Sequence, residues 1–166
     1  MKVTPKFFSE EECSKLLLFF KEQELQTATI VGHFECVPET RKTKIFLWEY
    51  DVKLEMKFQA TPMSFQFAEY SIGDHYDWHH DYDTHNNKKR IETCIINLNN
   101  EYEGGEFELE DHGKIELNVG DCLRFDSKLY HKVHPVTKGK RYSMVGWVYE
   151  PYSIEKLMRG VEEFCF

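Results

Sequence analysis

Apolar side chains recur at helical spacing over residues 9–24, where Leu16, Leu17 and Phe20 share one face. Ser9 and Glu12 make a capping box, each side chain meeting a backbone N–H that the first turn leaves unpaired. This span predicts an opening helix that buttresses a sheet. From Lys44 onward the period changes to two. Strands are predicted over residues 44–48, 63–71, 90–98, 106–110, 114–117, 121–125, 131–136 and 141–149. Asn99-Asn100, Gly104-Gly105, Asp111-His112-Gly113, Asn118-Val119-Gly120 and Lys138-Gly139 punctuate them as turns. Short strands with close turns after one helix predict a mainly β fold, a sandwich or double-sheet jelly roll. Residues 153–164 predict a short closing helix. The chain reads as one domain over residues 1–166, without repeats or linker.

Composition narrows the partners. Aromatic residues make up 15% of the 166 positions, which suits strands better than a helical bundle. The net charge of -8 repels phosphate backbones and anionic lipid heads, so neither nucleic acid nor a membrane surface is expected as a partner. Lys88, Lys89 and Arg90 form the one compact basic cluster and read as a solvated turn. Five scattered cysteines without a CxxC pair argue against a zinc ribbon and suit a reducing compartment. The opening residues carry charges and no apolar run, and no stretch is long enough to cross a bilayer, so a cytoplasmic protein is expected.

The segment from Tyr70 to Asp81 concentrates the chemistry. Residues two apart on a strand share a face, so His79 and Asp81 can both aim inward. A third imidazole from a distant strand would complete two histidines and one carboxylate, a facial set that holds Fe(II) and leaves positions open for oxygen. A second triplet, His75-Tyr76-Asp77, competes, but His75 falls in the turn around Gly73. His131 supplies the third ligand better than His134, which faces the other side of its strand and precedes Pro135. Beyond a polar turn over residues 137–140, Arg141 starts a strand expected to run back beside that of His131. Its guanidinium can fork onto the distal carboxylate of a keto-diacid, and Ser143, on the same face, can add a hydroxyl. His33, His85 and His112 read as solvated. Tyr76, Trp78 and Trp147 either wall the pocket or simply pack the core.

The pattern Tyr70-x-x-Gly73-x-x-Tyr76-x-x-His79-x-Asp81, followed by the segment from His131 to Arg141, resembles prolyl 4-hydroxylase-type 2-oxoglutarate oxygenases, with Tyr for the usual Phe at position 76. Gly104-Gly105-Glu106-Phe107, Gly120-Asp121, Phe125 and Trp147 fit the same family in order, as does the opening around Phe7. The resemblance implies a double-stranded β-helix, Fe(II) held by His79, Asp81 and His131, and 2-oxoglutarate held by Arg141, with Tyr70 adding a phenol and Ser143 completing an Arg-x-Ser element. The segment from His131 to Arg141 resembles the bacterial and phage branch in particular, and Arg141, where the animal collagen-modifying enzymes carry Lys, points to the microbial and oxygen-sensing branches. O2 is the implied oxidant and ascorbate a reductant. The implied substrate is a peptide or protein, proline-containing in the first instance; a free amino acid, another small molecule, or a non-catalytic jelly-roll binder are the alternatives. A carboxylate at Asp81, where halogenating relatives leave room for chloride, favours hydroxylation. The loop over residues 83–90 and the segment over residues 28–44 are expected to rim the substrate.

Overall fold

The computed structural model describes residues 1–29, 39–48, 51–61, 63–83 and 89–150. The predicted closing helix and both His33 and His85 lie outside the described residues, as do most of the two predicted rims.

The chain opens with β1 (Lys2–Thr4) and α1 (Glu10–Lys21). Ser9 caps α1 as predicted, its Oγ accepting from Glu12 N while the Glu12 carboxylate accepts from Ser9 N. Short strands β2 (Gln26–Thr27) and β3 (Arg41–Lys42) precede β4 (Lys44–Trp48). A helix absent from the sequence reading, α2 (Val52–Phe58), follows, capped by Asp51. Then come β5 (Met63–Tyr70), β6 (His75–His79), β7 (Arg90–Asn97), β8 (Tyr102–Gly104), β9 (Phe107–Leu109) and β10 (Gly113–Ile115). The last are β11 (Cys122–Asp126), β12 (His131–Val133), β13 (Val136–Gly139) and β14 (Arg141–Tyr149).

The strands form a seven-stranded sheet, β1-β11-β7-β14-β5-β4-β2, a five-stranded sheet, β10-β9-β12-β6-β3, and a β13-β8 pair. The fold is the expected jelly roll. Two apolar layers explain why the large sheet is buried on both faces. Phe65, Phe67, Cys94, Ile96, Cys122 and Met144 point outward, where Phe20 of α1 and Phe58 of α2 cover them. Ala68, Tyr70, Ile95, Leu123 and Phe125 point inward and meet Tyr76, Phe107 and Val133 of the small sheet. Burial on both faces leaves apolar residues at consecutive positions, so simple alternation blurs in β7 and β11.

Three expectations need correction. The predicted strand over residues 131–136 is two strands in different sheets, because Pro135 has no N–H to continue a ladder. The polar turn expected over residues 137–140 is largely β13, paired with β8. Arg141 does not run back beside His131: β14 lies between β5 and β7 in the large sheet, and β12 between β9 and β6 in the small one. The two residues therefore face each other across the sandwich. Among the described residues no helix is long and apolar enough to cross a membrane.

Candidate active site

Gly73, at φ +81°, turns the chain from β5 into β6, and β6 carries the chemistry toward the interior. His75 is not in this turn but opens β6, with its ring nitrogens at Gly73 O and Glu39 O, and Asp77 is exposed. The rival triplet is thus turned to the surface. A bulge then resets the strand: His131 faces His79 and Val133 faces Tyr76, so three residue steps on β6 oppose two on β12. The extra residue lets Tyr76 and His79, an odd number apart, stack on one side at 3.3 Å between ring centroids. Asp81 follows past the strand end, its backbone N–H donating to Ser127 O.

His79, Asp81 and His131 converge. One ligand atom from each lies within 4.8 Å of the others, a spacing that a single metal ion can bridge. Asp81 Oδ1 is 3.9 Å from His79 Nε2, and Oδ2 is 3.6 Å from His131 Nε2. Each imidazole is aimed by its own backbone: His79 Nδ1 meets Asp77 O at 2.7 Å and His131 Nδ1 meets Leu129 O at 3.1 Å. With Nδ1–H committed to a carbonyl, the Nε2 lone pair faces the centre. Burial, reinforced by neighbouring His131, pushes the His79 pKa down to about 3, so its ring is neutral and ready to ligate at ordinary pH. Burial would raise the Asp81 pKa, but its polar and cationic surroundings, His131 and His79 first and Arg90 after them, bring it below the ordinary carboxylate value. Thr93 Oγ1 donates to Asp81 Oδ2 at 2.9 Å and lies 3.0 Å from Ser127 Oγ. Neither Thr93 nor Ser127 was visible in the sequence as part of the site; only their complete burial marks them. His134 is excluded: its Nε2 meets Glu108 Oε2 at 2.6 Å on the far side of β12. His112 is exposed and bonded to Glu110 O.

A cavity of about 170 Å³ opens from the triad toward the large sheet. Arg141, Ser143, Val145 and Trp147 project into it from β14, two residues apart as strand geometry requires. Arg141 is 3% exposed and donates from Nη1 to Ser143 Oγ at 3.1 Å. It has no carboxylate partner among the described residues, and its guanidinium lies 5.4 Å from the Tyr70 ring centre. A buried guanidinium whose only side-chain partner is a hydroxyl suits a ligand carboxylate. The donor set suits Fe(II) equally: two imidazoles and one carboxylate, with the remaining side open to the cavity. Tyr76 and Trp147 line this cavity, whereas Trp78 is 41% exposed under Lys132 and does not. Two further arginines enter it. Arg41 comes from β3, and Arg90, expected in a solvated turn, instead lies 4.0 Å above the Trp147 ring.

The model of the 2OG-Fe(II) oxygenase superfamily matches residues 65–149, which include the triad and Arg141. A PKHD-type hydroxylase of Idiomarina loihiensis is 36% identical over 84 residues, covering 48% of this chain and 38% of that protein. Another, from Psychrobacter sp., is 36% identical over 93 residues, covering 49% and 36%. The chain thus spans less than half the length of these curated relatives. Among solved structures, a Pseudomonas putida prolyl-4-hydroxylase superposes with a TM-score of 0.72 at 19% identity, covering 90% of this chain and 92% of that one. A Trichoplax adhaerens prolyl hydroxylase, in complex with a hypoxia inducible factor peptide fragment, gives 0.74 at 19% identity, covering 95% and 86%. These likenesses establish the shared fold.

Proposed function

Because the chain belongs to the 2OG-Fe(II) oxygenase superfamily, we propose that it is an Fe(II)- and 2-oxoglutarate-dependent dioxygenase that hydroxylates a C–H bond. One observation carries the reading: His79, Asp81 and His131 present their ligand atoms to the same cavity into which Arg141 projects without a carboxylate partner. His79, Asp81 and His131 would hold the metal. Arg141 would pair with the distal carboxylate of 2-oxoglutarate, with Ser143 beside it and Tyr70 closing the wall. When bound, the iron with O2 and 2-oxoglutarate supplies oxidation of C–H to C–OH, with succinate and carbon dioxide as the other products. The residues supply the setting. Thr93 and Ser127 fix the carboxylate, and the two Nδ1–carbonyl contacts fix the imidazoles. Ile95, Phe107, Val133 and Val145 keep the cavity dry, which strengthens the Arg141–carboxylate pair.

The substrate reading is a prolyl residue in a peptide or protein, supported by the prolyl hydroxylase structures that share this fold. Ascorbate would keep the iron reduced. The free, buried thiols of Cys13, Cys94 and Cys122 fit a reducing, cytoplasmic setting for a single dioxygenase domain. The test is succinate release by the purified chain with Fe(II), ascorbate, O2 and 2-oxoglutarate, with and without proline-containing peptides. We expect turnover in the wild type and its loss in both His131→Ala and Arg141→Ala. A wild-type protein that neither releases succinate nor binds 2-oxoglutarate when loaded with metal would sink the enzyme reading.

A further inference from the structure

We propose that Arg41 and Arg90 form a carboxylate-binding subsite in the cavity, remote from Arg141, so that the molecule oxidised here carries a carboxylate close to the reacting carbon. The inference rests on the proposed role of Arg141 as the co-substrate anchor and names the class of substrate beyond it.

Charge balance makes the case first. A divalent ion and Arg141 are neutralised by Asp81 and a dianionic keto-diacid. Arg41 and Arg90 are then left over, and among the described residues neither makes an ion pair with a carboxylate. Arg41 is 6% exposed; Nη1 donates to Thr29 O at 2.9 Å and Nη2 to Gln66 Oε1 at 3.3 Å, both neutral acceptors. Its Nε is buried and unpartnered, as are Nε and Nη1 of Arg90. Leaving such donors dry and unmet is unfavourable, and more so when the group is charged. Two such cations lining one cavity call for an anion rather than for peptide carbonyls alone.

Position makes the case second. On β14, Arg141 pairs with Tyr70, Val145 with Gln66 and Trp147 with Ser64. Arg41 reaches the cavity at Gln66, and Arg90 lies over Trp147, so both enter four to six strand positions from Arg141, roughly 13–20 Å along the sheet. Both also flank the metal ligands. The Arg41 guanidinium lies 4.4 Å from the Tyr76 ring, which stacks on His79, and Trp147 faces Thr93, the residue that holds Asp81. An anion held here would sit beside the triad, leaving the Arg141 end to the co-substrate.

The test uses the full chain loaded with Mn(II), which ligates like Fe(II) without turnover, and saturated with 2-oxoglutarate. Melting temperature is followed against L-proline and L-prolinamide, and against proline-containing dipeptides bearing Asp or Asn. The first pair reports a main-chain carboxylate and the second a side-chain carboxylate. We expect a saturable rise with at least one acid and none with its amide. Arg41→Gln and Arg90→Gln should each weaken that acid at least tenfold while preserving the rise caused by 2-oxoglutarate itself. Arg90 is only half-buried, so its variant tests the subsite even if Arg41→Gln fails to fold. Equal response to acids and amides, no response to any acid, or an acid preference that survives both substitutions would overturn the proposal. A loss of baseline stability with the preference intact would likewise reduce Arg41 to a stacking partner of Tyr76. Failure of 2-oxoglutarate to stabilise the wild type would instead strike the proposed function itself.

Discussion

His79 and His131 present Nε2 inward for the same local reason: each commits Nδ1 to the carbonyl two residues before it. Thr93 does the corresponding work for Asp81, its hydroxyl tying β7 to the carboxylate. Thr93→Val keeps the volume and removes that donor, so metal affinity should fall about 10–100-fold without loss of fold, measured by Mn(II) titration. The neutral state of His79 also has a stability consequence. With its pKa near 3 in the folded chain and about 6.5 unfolded, the unfolded state takes up a proton first as the pH falls. The stability this residue contributes is complete above about pH 6.5 and is lost progressively below it, by up to about 1.4 kcal/mol per pH unit. Melting of the metal-free protein between pH 7 and 5 should therefore show a shallower pH slope in His79→Gln than in the wild type. Identical slopes would mean that His79 is not held neutral by burial.

The β6 bulge decides the site at the scale of elements. With strict alternation, Tyr76 and His79 would point to opposite faces; the added residue brings the stacked tyrosine and His79 to one side. Deleting Asp77, which is exposed, should remove the bulge and leave Tyr76 and His79 two residues apart, so that both still face inward and His79 still opposes His131. Far-UV circular dichroism should stay β-rich and Mn(II) binding should persist. Loss of binding in a folded variant would show that the bulge itself, beyond the face it selects, is needed to place His79. Helix α1 was legible because Ser9 and Glu12 announce its start and Leu16, Leu17 and Phe20 mark its face. Helix α2 was not, although Asp51 caps it and Leu54 and Phe58 share its buried face, because seven residues give just under two turns of periodicity. Strands β3 and β8, of two and three residues, exist only because neighbours pair with them.

Charge is segregated across the whole molecule. The chain carries -8 overall, yet its cavity is lined by Arg41, Arg90 and Arg141 against one carboxylate, Asp81. The cavity thus carries a charge opposite to that of the chain as a whole. Ligands that bind only the folded chain must stabilise it, by about 2.7 kcal/mol at a hundred times the dissociation constant. Mn(II) should raise the melting temperature, and 2-oxoglutarate should raise it further. Arg141→Ala should keep the first increment and lose the second. If 2-oxoglutarate still stabilises that variant, the co-substrate anchor lies elsewhere, and Arg41 or Arg90 becomes the next candidate.

The sequence by itself determined the mainly β class, the opening helix, and the grouping of His79, Asp81, His131 and Arg141 around one chemistry. Residue type and period two are local properties, and they survive in the chain whatever the partner strands do. Tertiary structure alone decided that His131 and Arg141 face each other from opposite sheets, that the bulge turns Tyr76 inward, and that Thr93 and Ser127 brace Asp81. It also carried Arg90 from an apparently solvated turn to a place over Trp147. Strand order, register shifts and the burial of a charge depend on residues far apart in the chain, and no local pattern encodes which of them will meet.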